Sequence, residues 1–129
     1  HYGQEILRYW QQAQMPDSSN ESLMAANRNI KLNAPTAEMF VYRGLVYFAR
    51  GEEGNLNDYY NAIDDFESAI LLAPNSSEAI YNLAITYEKL NKNKEAIETY
   101  DRLTEINDEF YALFFGISFQ SYIHFRFYY

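Results

Sequence analysis

Acidic side chains and two histidines are the groups in this sequence whose chemistry could support catalysis or metal binding. His1 and His124 lie at opposite ends of the chain, and no cluster of metal ligands surrounds either one. Asp64 and Asp65 are adjacent, and neighbouring residues on a helix do not face one another, so they do not form an acid–base pair. We expect both to lie on the solvated face of a helix.

The remaining motifs do not indicate chemistry either. The segment 51–58 (GEEGNLND) combines acids with glycine but lacks EF-hand spacing. No phosphate-binding glycine loop, nucleophile elbow or zinc motif occurs, and the chain has no cysteine. The sequence therefore predicts no catalytic residue, no metal site, no cofactor and no enzyme. Without cysteine the redox compartment cannot be inferred, and the cytoplasm is the default expectation.

Composition and charge narrow the class of partner. The chain has 129 residues, of which 48% are hydrophobic, with a net charge of −8, which fits one folded domain or a short repeat array. Residues 51–70 contain six acids and no lysine or arginine. An acidic surface repels phosphate backbones, so nucleic-acid binding is not expected. A partner selected by charge would be basic.

Helical periodicity is the strongest signal along the chain. It predicts about seven helices, arranged as antiparallel pairs with short turns inside each pair, at residues 2–14, 21–32, 36–50, 59–73, 77–90 and 94–106, with a seventh beginning near Asp108. Thr36 can cap the third helix, and Ser76 or Ser77 the fifth. Each pair has an apolar face that it cannot bury alone, so we expect an all-α solenoid of stacked helix pairs.

Two segments resemble the tetratricopeptide repeat, whose pattern is W-x2-L-G-x2-Y, then A-x3-F, then P, over 34 residues. The better copy supplies Ile80, Leu83, Ala84, Tyr87, Ala96 and Tyr100, with Asp108 at the proline position. The preceding copy supplies Phe40, Gly44, Tyr47, Ala62, Phe66, Ala69 and Pro74. The A-x3-F elements of the two copies are in phase, which supports one shared interior.

The first copy departs from the pattern at two places. Arg43 replaces the usual leucine, and the interval from Tyr47 to Ala62 is longer than that from Tyr87 to Ala96 by six residues. These extra residues predict an enlarged turn between the two helices. The turn is either a tolerated loop insertion or an acidic, mobile binding loop.

The resemblance divides the chain into four parts. Residues 1–35 are expected to form a degenerate helix pair, 36–74 a repeat with the enlarged turn, and 75–108 a second repeat. Residues 109–129 are expected to form a helix followed by an aromatic tail. The resemblance is clear over residues 37–108 and weaker on both sides.

The resemblance also implies a function. In this family the first helix of each pair lines a concave groove that binds a peptide or a partner's helix. Carried over by position, the groove residues are Glu38, Val41, Leu45, Phe48, Glu78, Tyr81, Asn82, Ile85 and Lys89. Asn82 stands where the family often has an asparagine that hydrogen-bonds the backbone of an extended peptide. We therefore expect a scaffold for a protein or peptide partner that is basic or amphipathic.

The C-terminal segment 110–129 is half aromatic, and Arg126 is its only formal charge. Polar residues interrupt it, which argues against a membrane span, and it lacks the basic face of an interfacial anchor. We expect it to pack against the last helix pair or against another copy of the chain, which would make homo-oligomers. Pairing as a strand, or exposure because a following helix is missing, are alternatives that the sequence leaves open.

Overall fold

The computed structural model describes residues 17–106. Within that range there are five helices and no strand: α1 (Asn20–Leu32), α2 (Ala37–Glu52), α3 (Leu56–Leu72), α4 (Ser77–Lys89) and α5 (Asn93–Ile106). The all-α prediction is confirmed. The expected helices at 2–14 and beyond Asp108, and the aromatic segment 110–129, lie outside the described residues.

Hydroxyl side chains fix where α2 and α4 begin. The Thr36 hydroxyl accepts a hydrogen bond of 3.2 Å from the backbone N–H of Met39, and the Ser76 hydroxyl accepts one of 3.2 Å from Ala79. Each bond satisfies one of the N–H groups that have no partner inside the helix. Both caps were predicted from the sequence.

The helices pack as two hairpins preceded by α1. Three-residue turns, at 53–55 and 90–92, join α2 to α3 and α4 to α5, and turns this short place the helices antiparallel. The most extensive packing is within these hairpins, and α3 also packs on α4 while α1 packs on α2. The described residues therefore form the stacked helix pairs that the periodicity predicted.

Small and large residues alternate in phase at the centre of each hairpin. Ala62, Phe66, Ala96 and Tyr100 all have an exposed fraction of 0%. A Cβ placed on Gly44 would lie 2.6 Å from the Phe66 ring, so only glycine allows α2 and α3 to approach this closely. The core that the two in-phase A-x3-F elements predicted is confirmed.

The six extra residues of the first hairpin lengthen its helices rather than its turn. Helices α2 and α3 have 16 and 17 residues, whereas α4 and α5 have 13 and 14. The prediction of an enlarged turn was therefore wrong. Gly51 is not a helix breaker here: a Cβ at this position would lie 2.7 Å from the Tyr59 ring, so glycine lets α3 pack against the last turn of α2.

Polar contacts hold this extension together. The Tyr59 hydroxyl donates a 2.6 Å hydrogen bond to Glu52, and burial raises the Tyr59 pKa, with the bond to Glu52 raising it further. Arg50 forms an ion pair of 3.2 Å with Asp58. Arg50 also donates a 3.2 Å bond to the carbonyl of Ser18, which attaches the extension to the segment before α1.

An ion pair between α2 and α3 corrects the expectation for Asp65. Asp64 is exposed as expected, but Asp65 is only 3% exposed. The Arg43 guanidinium donates to both oxygens of Asp65, at 2.8 and 2.7 Å, and this pairing raises the Arg43 pKa. Arg43 also donates a 3.1 Å bond to Asn27 on α1. The arginine that departs from the repeat pattern thus joins three helices.

Candidate functional site

The first helices of the two hairpins, α2 and α4, present the face that the sequence singled out. Two successive chain reversals separate them, so they run in the same direction, and they contact one another directly. Their capped N-termini therefore lie at one end of the face, and their C-termini at the other. This face, formed by the predicted groove positions of α2 and α4, is called the inner face below.

Three of the predicted groove residues lie in the interior. Val41, Leu45 and Tyr81 are 4%, 3% and 1% exposed, and all three belong to the main hydrophobic core. Each packs inward between the helices, and their assignment to a binding groove stays a prediction. They support the inner face from beneath.

The other predicted residues border the inner face. Glu38 and Lys89 are exposed, and Phe48, Glu78 and Ile85 are half-buried, while Asn82 is buried. On α4, residues 78, 82, 85 and 89 are spaced three or four apart, which places them in one stripe along the helix. The stripe begins with a carboxylate and ends with an ammonium group.

Asn82 is a buried polar residue in the middle of this stripe. It is 7% exposed, and its side-chain nitrogen Nδ2 has no hydrogen-bond partner. The other buried polar residues of the described range are satisfied: Asp65 pairs with Arg43, and the hydroxyls of Thr86 and Thr99 each donate a 2.7 Å bond to a backbone carbonyl. Leaving such a group without a partner costs about 1–3 kcal/mol, so Asn82 requires an explanation outside stability.

Two carboxylates lie together at the N-terminal end of the inner face. Burial raises the pKa of Glu78, and the negative charge of Glu38 raises it further. The second effect means that the carboxylate on α2 is close enough to repel the one on α4. Neither has an ion-pair partner among residues 17–106.

The C-terminal end of the inner face carries one positive and one negative side chain, which form an ion pair. Lys89 Nζ lies 3.2 Å from Glu52 Oε1, so an ion pair connects α4 to the extended end of α2. Both side chains are about two-fifths exposed, at 43% and 40%, and such a pair contributes little to stability. It does neutralise this end, so the inner face is acidic at one end only.

The sequence analysis missed one residue of this face. Tyr42 follows Glu38 by one helical turn and is 44% exposed. Its position within the α2 stripe could have indicated this placement. The family pattern does not specify a residue type there, so no motif pointed to it.

Two kinds of site are not found in the part of the chain that the structure describes. No group of three or more histidine, cysteine or acidic residues there could hold a metal ion. None of the helices within 17–106 is both long enough and apolar enough to span a membrane.

Part of the chain matches a known protein family. Residues 56–113 match the sequence profile of the tetratricopeptide repeat. The match begins at the start of α3, so it contains the whole α4–α5 hairpin and leaves out α2. Helix α2 carries Arg43 and three of the six extra residues, and the other three lie in α3.

A curated relative is similar over a larger part of the chain. The photosystem I assembly protein Ycf3 of Synechococcus sp. (strain CC9605) is 35% identical over 81 residues. The alignment covers 60% of this chain and 44% of the relative. The chain thus spans less than half the length of the curated relative that it matches.

Proposed function

Because residues 56–113 match the tetratricopeptide repeat, a family of protein-interaction modules, we propose that the inner face binds a segment of a partner protein. The family and the assembly-protein relative support a protein partner and a non-catalytic role. The finer proposal is that the segment lies along α2 and α4, in contact with the half-buried Phe48 and Ile85 and the exposed Tyr42.

The observation that carries this proposal is the unpartnered amide of Asn82. Because Nδ2 is fully buried and has no acceptor in the unliganded chain, a carbonyl oxygen of a bound peptide would satisfy it once the side chain turns towards the inner face. Every residue of an extended segment offers such a carbonyl, so this contact fixes the backbone without selecting a sequence. Side chains of the segment would then pack against the apolar border of the face.

The relative suggests what kind of partner this is. Its name describes a protein that assists the assembly of photosystem I. By extension, we propose that the bound segment belongs to a protein that is being incorporated into a larger complex. The competing arrangement is self-assembly, in which the aromatic segment 110–129 of one copy docks on the inner face of another.

Selection from a library of short random peptides tests this proposal. Peptides enriched on the full chain should bind the Asn82→Leu variant at least about tenfold more weakly, because the buried hydrogen bond is lost. The matched control is Asn57→Leu, which makes the same chemical change at an exposed position of α3 and should bind normally. Equal affinity for wild type and Asn82→Leu would refute the role of the inner face.

Light scattering separates peptide binding from self-assembly. Under the peptide-binding proposal, deletion of residues 110–129 should leave peptide affinity unchanged. Under self-assembly, the full chain should be a dimer or larger, and the deletion should release monomers whose inner face is newly able to bind the selected peptides. Measurement of mass and peptide affinity on both forms decides between them.

A further inference from the structure

We infer that Glu38 and Glu78 form a subsite for one lysine or arginine side chain of the bound segment, with Asn82 holding the segment's backbone one helical turn away. This inference deepens the proposed function and rests on it. It specifies one basic side chain at a fixed position, which is more than a general preference of an acidic chain for basic partners.

The subsite is assembled by the parallel course of α2 and α4. Glu38 lies in the first turn of α2 and Glu78 in the first turn of α4, and these two turns are at the same end of the inner face. Asn82 follows Glu78 by four residues, so the two side chains are neighbours on the surface of α4. A segment whose carbonyl accepts a bond from Asn82 thereby brings its next side chain within reach of both carboxylates.

Two of the acids that lie between helices in the described range have cationic partners. Asp65 pairs with Arg43, and Glu52 pairs with Lys89. No lysine or arginine of residues 17–106 forms an ion pair with Glu38 or Glu78. Burial and mutual repulsion both raise the Glu78 pKa, and a cation placed between the carboxylates would offset both effects.

The donor set favours an organic cation over a metal ion. Two carboxylates and an amide nitrogen supply too few oxygen ligands for Ca²⁺, and the described residues contain no third acidic or histidine side chain at this place. A lysine or arginine side chain needs only hydrogen-bond acceptors and negative charge, which Glu38 and Glu78 provide.

The other end of the inner face gives the bound segment a direction. The Lys89–Glu52 pair is already neutral, so it offers no comparable attraction for a second cation. A basic residue is therefore selected at the N-terminal end of α2 and α4 and is not selected at the C-terminal end. Segments that bind should carry their basic residue on one fixed side of the residues that pack against Phe48 and Ile85.

The test uses the peptides enriched on the full chain by library selection. Changing Glu38→Gln or Glu78→Gln should weaken each peptide about threefold to fivefold, and the loss should disappear when the peptide's basic residue is replaced by glutamine. The affinity of the wild-type chain should fall as salt concentration rises, and the double variant should show a smaller salt dependence. Glu98→Gln, an exposed change on α5, is the matched control.

The outcomes distinguish this inference from the proposed function on which it rests. Enriched peptides with a basic residue at one register, sensitive to both glutamine variants, support the subsite. Peptides that depend on Asn82 but bind the two glutamine variants as tightly as wild type would overturn the subsite and leave the proposed function standing. If no peptide depends on Asn82, both fail. Circular dichroism checks that each variant folds. The two glutamine variants should fold, because the changes are isosteric and lie at exposed and half-buried sites.

Discussion

Replacing Arg43 by methionine should reduce the free energy of unfolding by about 3 kcal/mol near neutral pH, because it leaves Asp65 buried without a cation. The carboxylate side chain of Asp65 is 4% exposed, and it receives two guanidinium hydrogen bonds of 2.8 and 2.7 Å. Removing one member of a buried pair costs about 3–5 kcal/mol. Methionine keeps much of the packing of the arginine stem, which places the expected loss at the lower end.

The same change should make stability depend on pH in a defined direction. Burial raises the pKa of Asp65, and Arg43 opposes that rise in the native pair. Without Arg43 the folded-state pKa rises further, so the folded variant binds a proton more readily than the unfolded chain. The deficit relative to wild type should therefore be largest near neutral pH and should shrink as the pH falls through the raised folded-state pKa of Asp65.

A double-mutant cycle completes this prediction. Asp65→Leu combined with Arg43→Met removes both charges, and the double variant should recover to within about 1 kcal/mol of wild type. Urea unfolding followed by far-UV circular dichroism supplies the free energies. An Arg43→Met variant within about 0.5 kcal/mol of wild type, or strictly additive single changes, would refute the view that this pair joins the helices.

Three further predictions follow from the packing and the inner face. Gly44→Ala should lower the free energy of unfolding by about 1–2 kcal/mol, since the added Cβ would lie 2.6 Å from the Phe66 ring, and urea titration measures this. Asn82→Leu should leave the stability of the unliganded chain unchanged or raise it by about 1 kcal/mol, although peptide binding is lost. Burial and the charge of Glu38 raise the folded-state pKa of Glu78 above its ordinary value of 4.5, so ionisation of Glu78 lowers the stability of the wild-type chain as pH rises. Glu78→Gln should remove this decline.

Each of these has a result that contradicts it. Unchanged unfolding of Gly44→Ala would mean that the two helices of the first hairpin can separate without loss. Clear destabilisation by Asn82→Leu would mean that the amide has a partner within the chain. The free energies of unfolding of wild type and Glu78→Gln could instead differ by a constant amount across pH. That result would show that the Glu78 carboxylate is neither repelled by Glu38 nor desolvated as described.

The sequence predicted those parts of the fold that depend on local or repeating features. Ala62 and Ala96 stand in phase with Phe66 and Tyr100, and periodicity of this kind reports which side of each helix is buried. Capping depends on residues three positions apart, so Thr36 could be recognised without knowledge of the fold. These predictions needed no information about which helix lies beside which.

The errors concern residues whose role depends on a distant partner. Asp65 was expected in solvent because its cation, Arg43, lies on another helix, and the sequence gives no direct sign of that pairing. Gly51 resembled a turn residue because the ring that packs on it, Tyr59, follows a chain reversal. Position within the repeat assigned Tyr81 to the groove but carried no information about its depth, and Tyr81 is only 1% exposed.

The longer first hairpin makes α2 extend beyond α4 at one end of the inner face. Helix α2 continues about 4.5 Å past the point that matches the end of α4, since it has three more residues at 1.5 Å rise each. This step stands at the end opposite the two carboxylates and is braced by Tyr59 and by the Lys89–Glu52 bridge. A segment bound as proposed above would have only α2 beside it beyond this step, so its length as well as its charge should affect its affinity.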